Sequence, residues 1–394
     1  MSTRRNPAVN RPILLIVGVI LIAASLRAPI TGVAPLLADI REAFSLGTAE
    51  AGALTTLPLL VFAGASPFCV LLAREYGLER SLFISLLLTA AGILVRSWGA
   101  EWTLFLGTAV IGMGIAIANV LLPSLIKRDF PARIAVLTSA YALTAGVVAS
   151  LASAAAVPIA SMPGWGWNGA LSAFLVFPLV AMAAWVPQLS GRSAPTSATP
   201  TPPHGGKVWH SALAWQVTFF FGLNSLVYYV VVTWLPAILT EAGYSPAAAG
   251  SLHGVSQLAT ALPGLFLGPL VSRTTDQRGL ALGVAVITAM SLLGLTLQPA
   301  WGMLWAAMFG VGAGATFILG LAFISLRAAN SRQAATLSAM AQTVGYLVAA
   351  GAPPAIGYVH DVAGSWTIPL LVCVGVSLAM GLLGLGAGRA EQVR

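Results

Sequence analysis

Charge is the scarcest thing in this chain. Asp, Glu, Lys and Arg make up 8% of its 394 residues, against roughly 25% in a soluble domain. So few charges cannot cover a water-facing surface, which excludes a soluble enzyme or binding module. Cysteine is nearly absent. Cys69 and Cys373 both lie inside apolar runs and read as packing residues, with no disulfide framework or thiolate metal site. Carboxylates number 11 against 19 cations, and none lies deep inside an apolar run. The net charge of +8 is spread singly through short loops and forms no stripe, so nucleic acid is not an expected partner. Gly312-Ala-Gly-Ala-Thr316 lacks the Lys-Ser/Thr ending and the preceding strand of a phosphate loop, so no ATPase signature is present and no cofactor is expected.

What the chain has in quantity is apolar sequence: 58% of residues are hydrophobic, and the mean hydropathy is +0.90. The runs far exceed the roughly 10-residue strands of an outer-membrane barrel, so helices must satisfy the backbone in lipid. Breakers between runs predict twelve spans: 12–38, 49–73, 81–97, 102–126, 134–160, 168–187, 212–238, 248–271, 279–298, 301–325, 334–357 and 366–388. The expected fold class is therefore an all-α membrane protein of twelve transmembrane helices. The basic stretch Met1–Arg11 precedes a run too long for a signal-peptide core, which reads as a retained first helix.

Charge placement predicts orientation. Arg4, Arg5, Arg11, Arg74, Arg80, Lys127, Arg128, Arg133, Arg192, Lys207, Arg273, Arg278, Arg327, Arg332, Arg389 and Arg394 fall on one side of this layout. The other side takes Arg41 and Arg96 with Asp39, Glu42, Glu50, Glu101, Glu241 and Asp361. Both termini are thus expected in the cytoplasm, in a bacterial inner membrane. The stretch 188–211, with the Pro/Ser/Thr-rich segment Ser193 to His204, reads as a linker between six-helix bundles at 1–187 and 212–394.

The halves repeat at an offset near 200. Ser25-Leu26 and Pro35 match Ser225-Leu226 and Pro236, and Ala51-Gly-Ala-Leu54 matches Ala249-Gly-Ser-Leu252. Gly112-Met-Gly114 matches Gly312-Ala-Gly314, and Lys127-Arg128 matches Leu326-Arg327. Six-helix units place both copies the same way up, as parallel repeats with a solute site near the midplane between them.

Polar residues within spans are the functional candidates. Arg27 lies near the middle of the first span, where an unpaired guanidinium costs several kcal/mol. Its partner is left open: backbone carbonyls, water, or an anionic or nitro-bearing ligand. Tyr228 occupies the equivalent position in the second half, with Asn224 one turn before it. His253 and Gln257 share a helix face, as do Gln342 and Tyr346, and Asn119 sits in the inner part of the fourth span. Substrate binding is expected at Arg27, Asn119, Asn224, Tyr228, His253, Gln257 and Gln342, with Tyr229 or Trp234 as further stacking surfaces. The structural alternative is that Asn and Gln glue helices together and Tyr fills space. His253, the only histidine placed within a helix, is a candidate proton carrier or a plain hydrogen-bond donor. A buried cation without a buried carboxylate favours anionic, weakly acidic or strongly dipolar solutes.

The loop Leu72-Ala-Arg-Glu-Tyr-Gly77-Leu-Glu-Arg80 resembles the Gly-x-Leu-Ala-Asp-Arg-x-Gly-Arg-Lys signature of the major facilitator superfamily. Val70 replaces its leading glycine and Arg74 its Asp, with Glu75 and Glu79 as substitute carboxylates. The chain more closely resembles the branch holding cyanate transporters and bacterial 2-nitroimidazole exporters. Leu26-Arg-Ala-Pro29, Leu54-Thr-Thr-Leu-Pro58, Asn119-Val-Leu-Leu-Pro123, Asn224-Ser-Leu-Val-Tyr-Tyr229, Trp234-Leu-Pro-Ala-Ile238, Ala249-Gly-Ser-Leu-His-Gly254 and Gly320-Leu-Ala-Phe-Ile-Ser-Leu-Arg327 carry that resemblance. It implies a gradient-driven, non-enzymatic transporter that works as a monomer in lipid on a small-molecule substrate. Two activities stand open under it, export of 2-nitroimidazole-like compounds with antibiotic resistance as a consequence, and uptake of cyanate or another small anion. A membrane-embedded enzyme would need a metal cluster or nucleophile–base pair that the lone His253 does not supply. A non-transporting sensor fits the residues less well than a two-half carrier.

Overall fold

The computed structural model describes residues 12–130, 133–190, 208–329 and 331–393. The basic tail with Arg4, Arg5 and Arg11, the segment Ser193 to His204 with Arg192 and Lys207, and Arg394 lie outside the described residues. Fifteen α-helical stretches build twelve spans, with no strand among the described residues. The first half holds α1 (Pro12–Thr31), α2 (Leu37–Phe44), α3 (Thr48–Tyr76), α4 (Leu78–Arg96), α5 (Glu101–Asp129), α6 (Ile134–Ala160), α7 (Gly166–Ala173) and α8 (Val176–Trp185). The second holds α9 (Ala212–Glu241), α10 (Pro246–Ala259), α11 (Leu267–Ser272), α12 (Arg278–Leu297), α13 (Gly302–Leu326), α14 (Ser331–Ala363) and α15 (Thr367–Ala387). The pairs α1–α2, α7–α8 and α10–α11 each form one broken span.

The breaks have local causes. Ser45 closes α2 in the left-handed conformation, φ 55°. Pro263 and Gly264 sit in the 3-10 turn Leu262–Leu265 that divides α10 from α11. Gly77, at φ 82°, allows the abrupt turn from α3 into α4. Helix ends depart from the sequence-based spans by a few residues in most cases. The largest departure is in α14, which continues to Ala363 and so carries His360, a second histidine within a span.

Nine helical stretches among the described residues are long and apolar enough to cross a membrane. α14 is not in that set, and it faces the opposite half: across the seam α3 packs on α14 and α6 on α10. A helix that meets another helix and a water-filled cavity needs less apolar surface than one wrapped in lipid.

The apolar core comes in pieces that reveal the shape. On the side of the termini, one cluster runs from Leu15 to Trp185 and belongs wholly to the first half. A second, from Val208 to Val393, belongs wholly to the second half. On the far side a single cluster joins them, bringing Leu36, Leu54 and Ala152 together with Val231, Leu235 and Ala249. Leu59, Ala349 and Ala350 add a small patch at mid-depth, with Tyr229 and Tyr346 against it. The halves therefore fuse on the far side and part toward the termini.

Repeat symmetry is visible at atomic detail. Ser25 and Ser225 each donate to the carbonyl four residues earlier, at 2.9 and 3.0 Å. A Cβ at Gly114 would lie 2.4 Å from Thr89 Oγ1, and one at Gly312 would lie 2.5 Å from Thr288 Oγ1. The contact equivalent to that of Gly114 is thus made by Gly312, so the local offset is 198 rather than 200.

A guanidinium clamp also occurs twice. In the first half Arg128 Nη2 meets Glu79 Oε1 at 2.7 Å and Asp129 Oδ2 at 2.7 Å. Glu79 therefore takes the place of the carboxylate missing from the α3–α4 loop. Chiefly the Asp129 hydrogen bond, and then Glu79, raise the Arg128 pKa above the usual arginine value against the opposing effect of burial. In the second half Arg327 bonds Gln277 Oε1, and its Nε donates to Ala387 O at 2.9 Å. Burial lowers the Arg327 pKa, and Asp276 offsets part of the effect.

Candidate functional site

Arg27 sits at mid-depth in α1, yet its side chain is exposed, because it projects into the space between the diverging halves. Pro29, two residues later, cannot donate a backbone hydrogen bond, and α1 ends at Thr31. Tyr228 and Tyr229 of α9, Tyr141 of α6 and Tyr346 of α14 all lie within electrostatic range of the guanidinium. The chain has 7 tyrosines, and four of them lie within electrostatic range of this one cation. No carboxylate pairs with Arg27 among the described residues. A cation ringed by phenols at mid-membrane is a site for an acceptor-bearing solute with a flat apolar face.

Behind this ring runs a directional hydrogen-bond chain. Tyr228 OH donates to Gln257 Oε1 at 3.0 Å. Gln257 Nε2 is 3.3 Å from His253 Nε2, and His253 Nδ1 is 2.6 Å from Ser153 Oγ. Ser153 has one hydroxyl proton and donates it to Gly250 O at 2.9 Å. Its oxygen is therefore left to accept, so Nδ1 of His253 carries the hydrogen. Nε2 is then free to accept from Gln257. The polarity is consistent from the cavity tyrosine to the seam, where Ser153 of α6 meets α10 of the other half.

The remaining expected site residues divide by location. Asn119 is exposed and accepts from Tyr141 OH at 2.9 Å. Gln342 is half-buried and donates to Ser338 Oγ at 2.9 Å on its own helix. Asn224, His253 and Gln257 are buried in the second-half wall, so the latter two reach the cavity only through Tyr228. Asn224 and Gln342 are not bonded to that chain. Trp234 does not serve as a stacking surface: it is buried in the far-side core against Trp366, centroids 5.4 Å apart, and its indole N–H donates to Pro353 O at 2.9 Å.

Tyr141 and Ser153 were not anticipated. Tyrosine scarcity was a usable signal for the first; a serine in an alanine-rich helix gave none for the second. Two further polar contacts close the far side between halves, Thr48 to Asp361 and Thr55 Oγ1 to Thr233 Oγ1 at 2.8 Å; within the first half, Thr31 Oγ1 donates to Ala149 O at 3.3 Å beside them. No His/Cys/Asp/Glu group able to hold a metal is found among the described residues.

Comparison with known proteins places the arrangement. The sequence profile of the Major Facilitator Superfamily matches residues 15–353. The chain is 53% identical over 382 residues to the 2-nitroimidazole transporter of Escherichia coli K12, covering 97% of each chain. It is 30% identical to the cyanate transport protein CynX of the same organism, covering 91% of this chain and 94% of that one. Among solved structures, a peptide transporter aligns with a TM-score of 0.76 at 16% identity, covering 96% of this chain and 95% of that one, a likeness of fold.

Proposed function

Because the chain belongs to the Major Facilitator Superfamily and is a transporter, we propose that it exports small planar solutes of the 2-nitroimidazole type across the bacterial inner membrane. The observation that carries this reading is Arg27, exposed at mid-depth among four tyrosines and with no carboxylate partner among the described residues. A nitro group offers two coplanar oxygens to the guanidinium fork, and a flat ring packs on phenol faces. The likeness to the 2-nitroimidazole transporter supports the same solute class.

Both termini face the cytoplasm in this reading, since the arginine-rich loops lie on their side. The cavity is then open to the cytoplasm and closed outward, ready to load for export. The bundles 1–187 and 212–394 rock about the site, with 188–211 as their tether, and the protein acts as a monomer. Proton coupling through His253 has a concrete form. A proton on Nε2 would turn that nitrogen from acceptor to donor and oblige the Gln257 amide to flip, reversing the chain that ends on Tyr228. The Val232 carbonyl beside the ring offers a further acceptor.

Flux of labelled 2-nitroimidazole in proteoliposomes tests the proposal. Arg27→Ala is expected to abolish flux while the protein still inserts; near-wild-type flux would overturn the anchor. His253→Gln is expected to flatten the pH dependence of flux; an unchanged profile would retire proton coupling. Saturable cyanate entry with no nitroimidazole movement would favour the uptake reading. Tight solute binding with no flux would favour a sensor.

A further inference from the structure

Arg96 ends α4 and stands, in sequence, where an arginine would reach out to the membrane surface. It instead turns inward and is 1% exposed. Its Nη1 donates to Pro29 O of α1 at 2.5 Å. Helix α5 presses on its backbone, where a Cβ at Gly107 would lie 2.3 Å from Arg96 N. Nε and Nη2 have no hydrogen-bond partner among the described residues.

These two nitrogens form one edge of the guanidinium. Their N–H bonds run parallel, the geometry that grips two coplanar oxygens. The anchored Nη1 fixes the opposite edge, so the free edge is held in place. Arg96 lines a cavity of about 10 Å³ with Ile30, Val33, Leu54, Thr55 and Thr108, room for about one water. Thr55 and Thr108 give their hydroxyl protons to Gly52 O and Leu104 O, at 2.8 Å each. A water there would accept from Arg96 and donate to the threonines.

The cavity lies about 5 to 9 Å along the first span beyond Arg27, at 1.5 Å per residue, toward the far side. Its wall is also the seam between halves, because Thr55 Oγ1 meets Thr233 Oγ1 of α9 at 2.8 Å. When the halves part on the far side that contact breaks, and the enclosed cavity becomes part of the outward-open space.

We propose that the free edge of Arg96 is a second solute station, which takes a planar two-oxygen group when α3 separates from α9. The solute is handed from Arg27 to Arg96 on its way out. This rests on the solute class assigned above, but the station itself accepts any small planar oxyanion or nitro group.

Nitrate is the probe, with chloride at equal concentration as control. The full-length chain carries Gly52→Trp to open the far side, since even a Cβ at Gly52 would lie 2.6 Å from Pro354 N of α14. Arg27→Ala silences the first site. Nitrate, and not chloride, is expected to raise the melting temperature of this protein. Arg96→Gln should weaken that response at least tenfold. Arg96→Lys should do the same while leaving the nitrate-free melting temperature within a degree or two. A nitrate response that survives both substitutions, or none in the parent protein, overturns the station. If the Gly52→Trp protein does not accumulate, Gly254→Trp, which wedges α10 from α6, takes its place. Nitrate binding through Arg96 that 2-nitroimidazole cannot displace would keep the station and remove the solute assignment. Normal 2-nitroimidazole flux with no nitrate response would do the reverse.

Discussion

Ser153→Ala isolates one hydrogen bond that exists only while the far side is closed. The serine accepts from His253 Nδ1 at 2.6 Å and donates to Gly250 O at 2.9 Å. Removing the hydroxyl costs little at Gly250, whose carbonyl lies inside α10 and keeps its helical partner. It removes the Ser153 partner of Nδ1 on a fully buried imidazole. Losing such a partner costs about 1–3 kcal/mol. In the outward-open conformation both side chains meet water and the substitution costs nothing. The equilibrium should therefore shift outward by about 1–3 kcal/mol, roughly 5- to 150-fold. Spin labels at Ala49→Cys on α3 and Tyr358→Cys on α14 report the opening as a distance distribution, since Cys69 and Cys373 are buried and free. Ser153→Thr, which keeps a hydroxyl, should restore most of the closed population. A distribution unchanged by Ser153→Ala would refute the claim that this contact sets the gate.

The duplicated clamp makes a graded prediction. Glu79→Gln gives the first half the amide acceptor that the second half has in Gln277 and should cost about 1–1.5 kcal/mol, the difference between a charged and a neutral hydrogen bond. Arg128→Ala takes the guanidinium from the buried Glu79 carboxylate and should cost more, up to about 3–5 kcal/mol; thermal unfolding of the purified proteins ranks the two, and equal losses would count against the clamp. Trp234→Phe keeps the ring in the far-side core but gives up the bond to Pro353, for an expected loss of about 1 kcal/mol in the same assay. Tyr228→Phe severs the cavity from the Gln257–His253 chain and should remove any effect of His253→Gln on the pH profile of flux, a non-additivity that a double-mutant cycle detects.

Sequence carried the helices well and singled out Arg27, for a physical reason. Lipid leaves the backbone one solution per apolar run, so span count and the parallel arrangement of the two halves follow from hydropathy and the even number of helices per half. A charge inside such a run is anomalous, which made Arg27 legible. Arg96 was not legible, because an arginine at a helix end ordinarily snorkels to the surface; only packing against Gly107 and the Pro29 carbonyl turns it inward. Trp234 looked like a cavity aromatic because α9 also carries Tyr228, but the two lie on different faces, one toward the cavity and one toward Trp366. His360 seemed to belong to a loop because polar residues follow Pro353 and Pro354. Yet α14 runs through both prolines and on to Ala363. There His360 stacks on Trp366 and meets Glu241 at 3.1 Å.

The composition of the seam explains how so large a shift can be reversible. The terminal-side core of the first half is rich in Leu and Ile, that of the second in Ala, Val and Leu, and each stays within its own half. Where the halves touch on the far side, Leu36, Leu54, Val231 and Leu235 are interleaved with small residues: Ala51 and Gly52 on α3, Ala152 and Ala156 on α6, Ala249 and Gly250 on α10, Ala352 on α14. Each alanine methyl yields under about 1 kcal/mol on burial, where a leucine would yield about two or three times as much. The polar pairs add about 0.5–1.5 kcal/mol each and exchange for water when the seam opens. Opening therefore forfeits less than a seam built wholly of large side chains would, and a solute that binds the two conformations unequally biases it. Enlarging one of these contacts should upset that balance in one direction only. Gly254→Ala places a Cβ 2.6 Å from Ser150 O, a backbone atom that cannot step aside, so α10 must move off α6. The spin-label distances should lengthen, and solute affinity on the side of the termini should fall with them. A closed, normally binding Gly254→Ala protein would mean that the seam yields more readily than close packing of small residues allows.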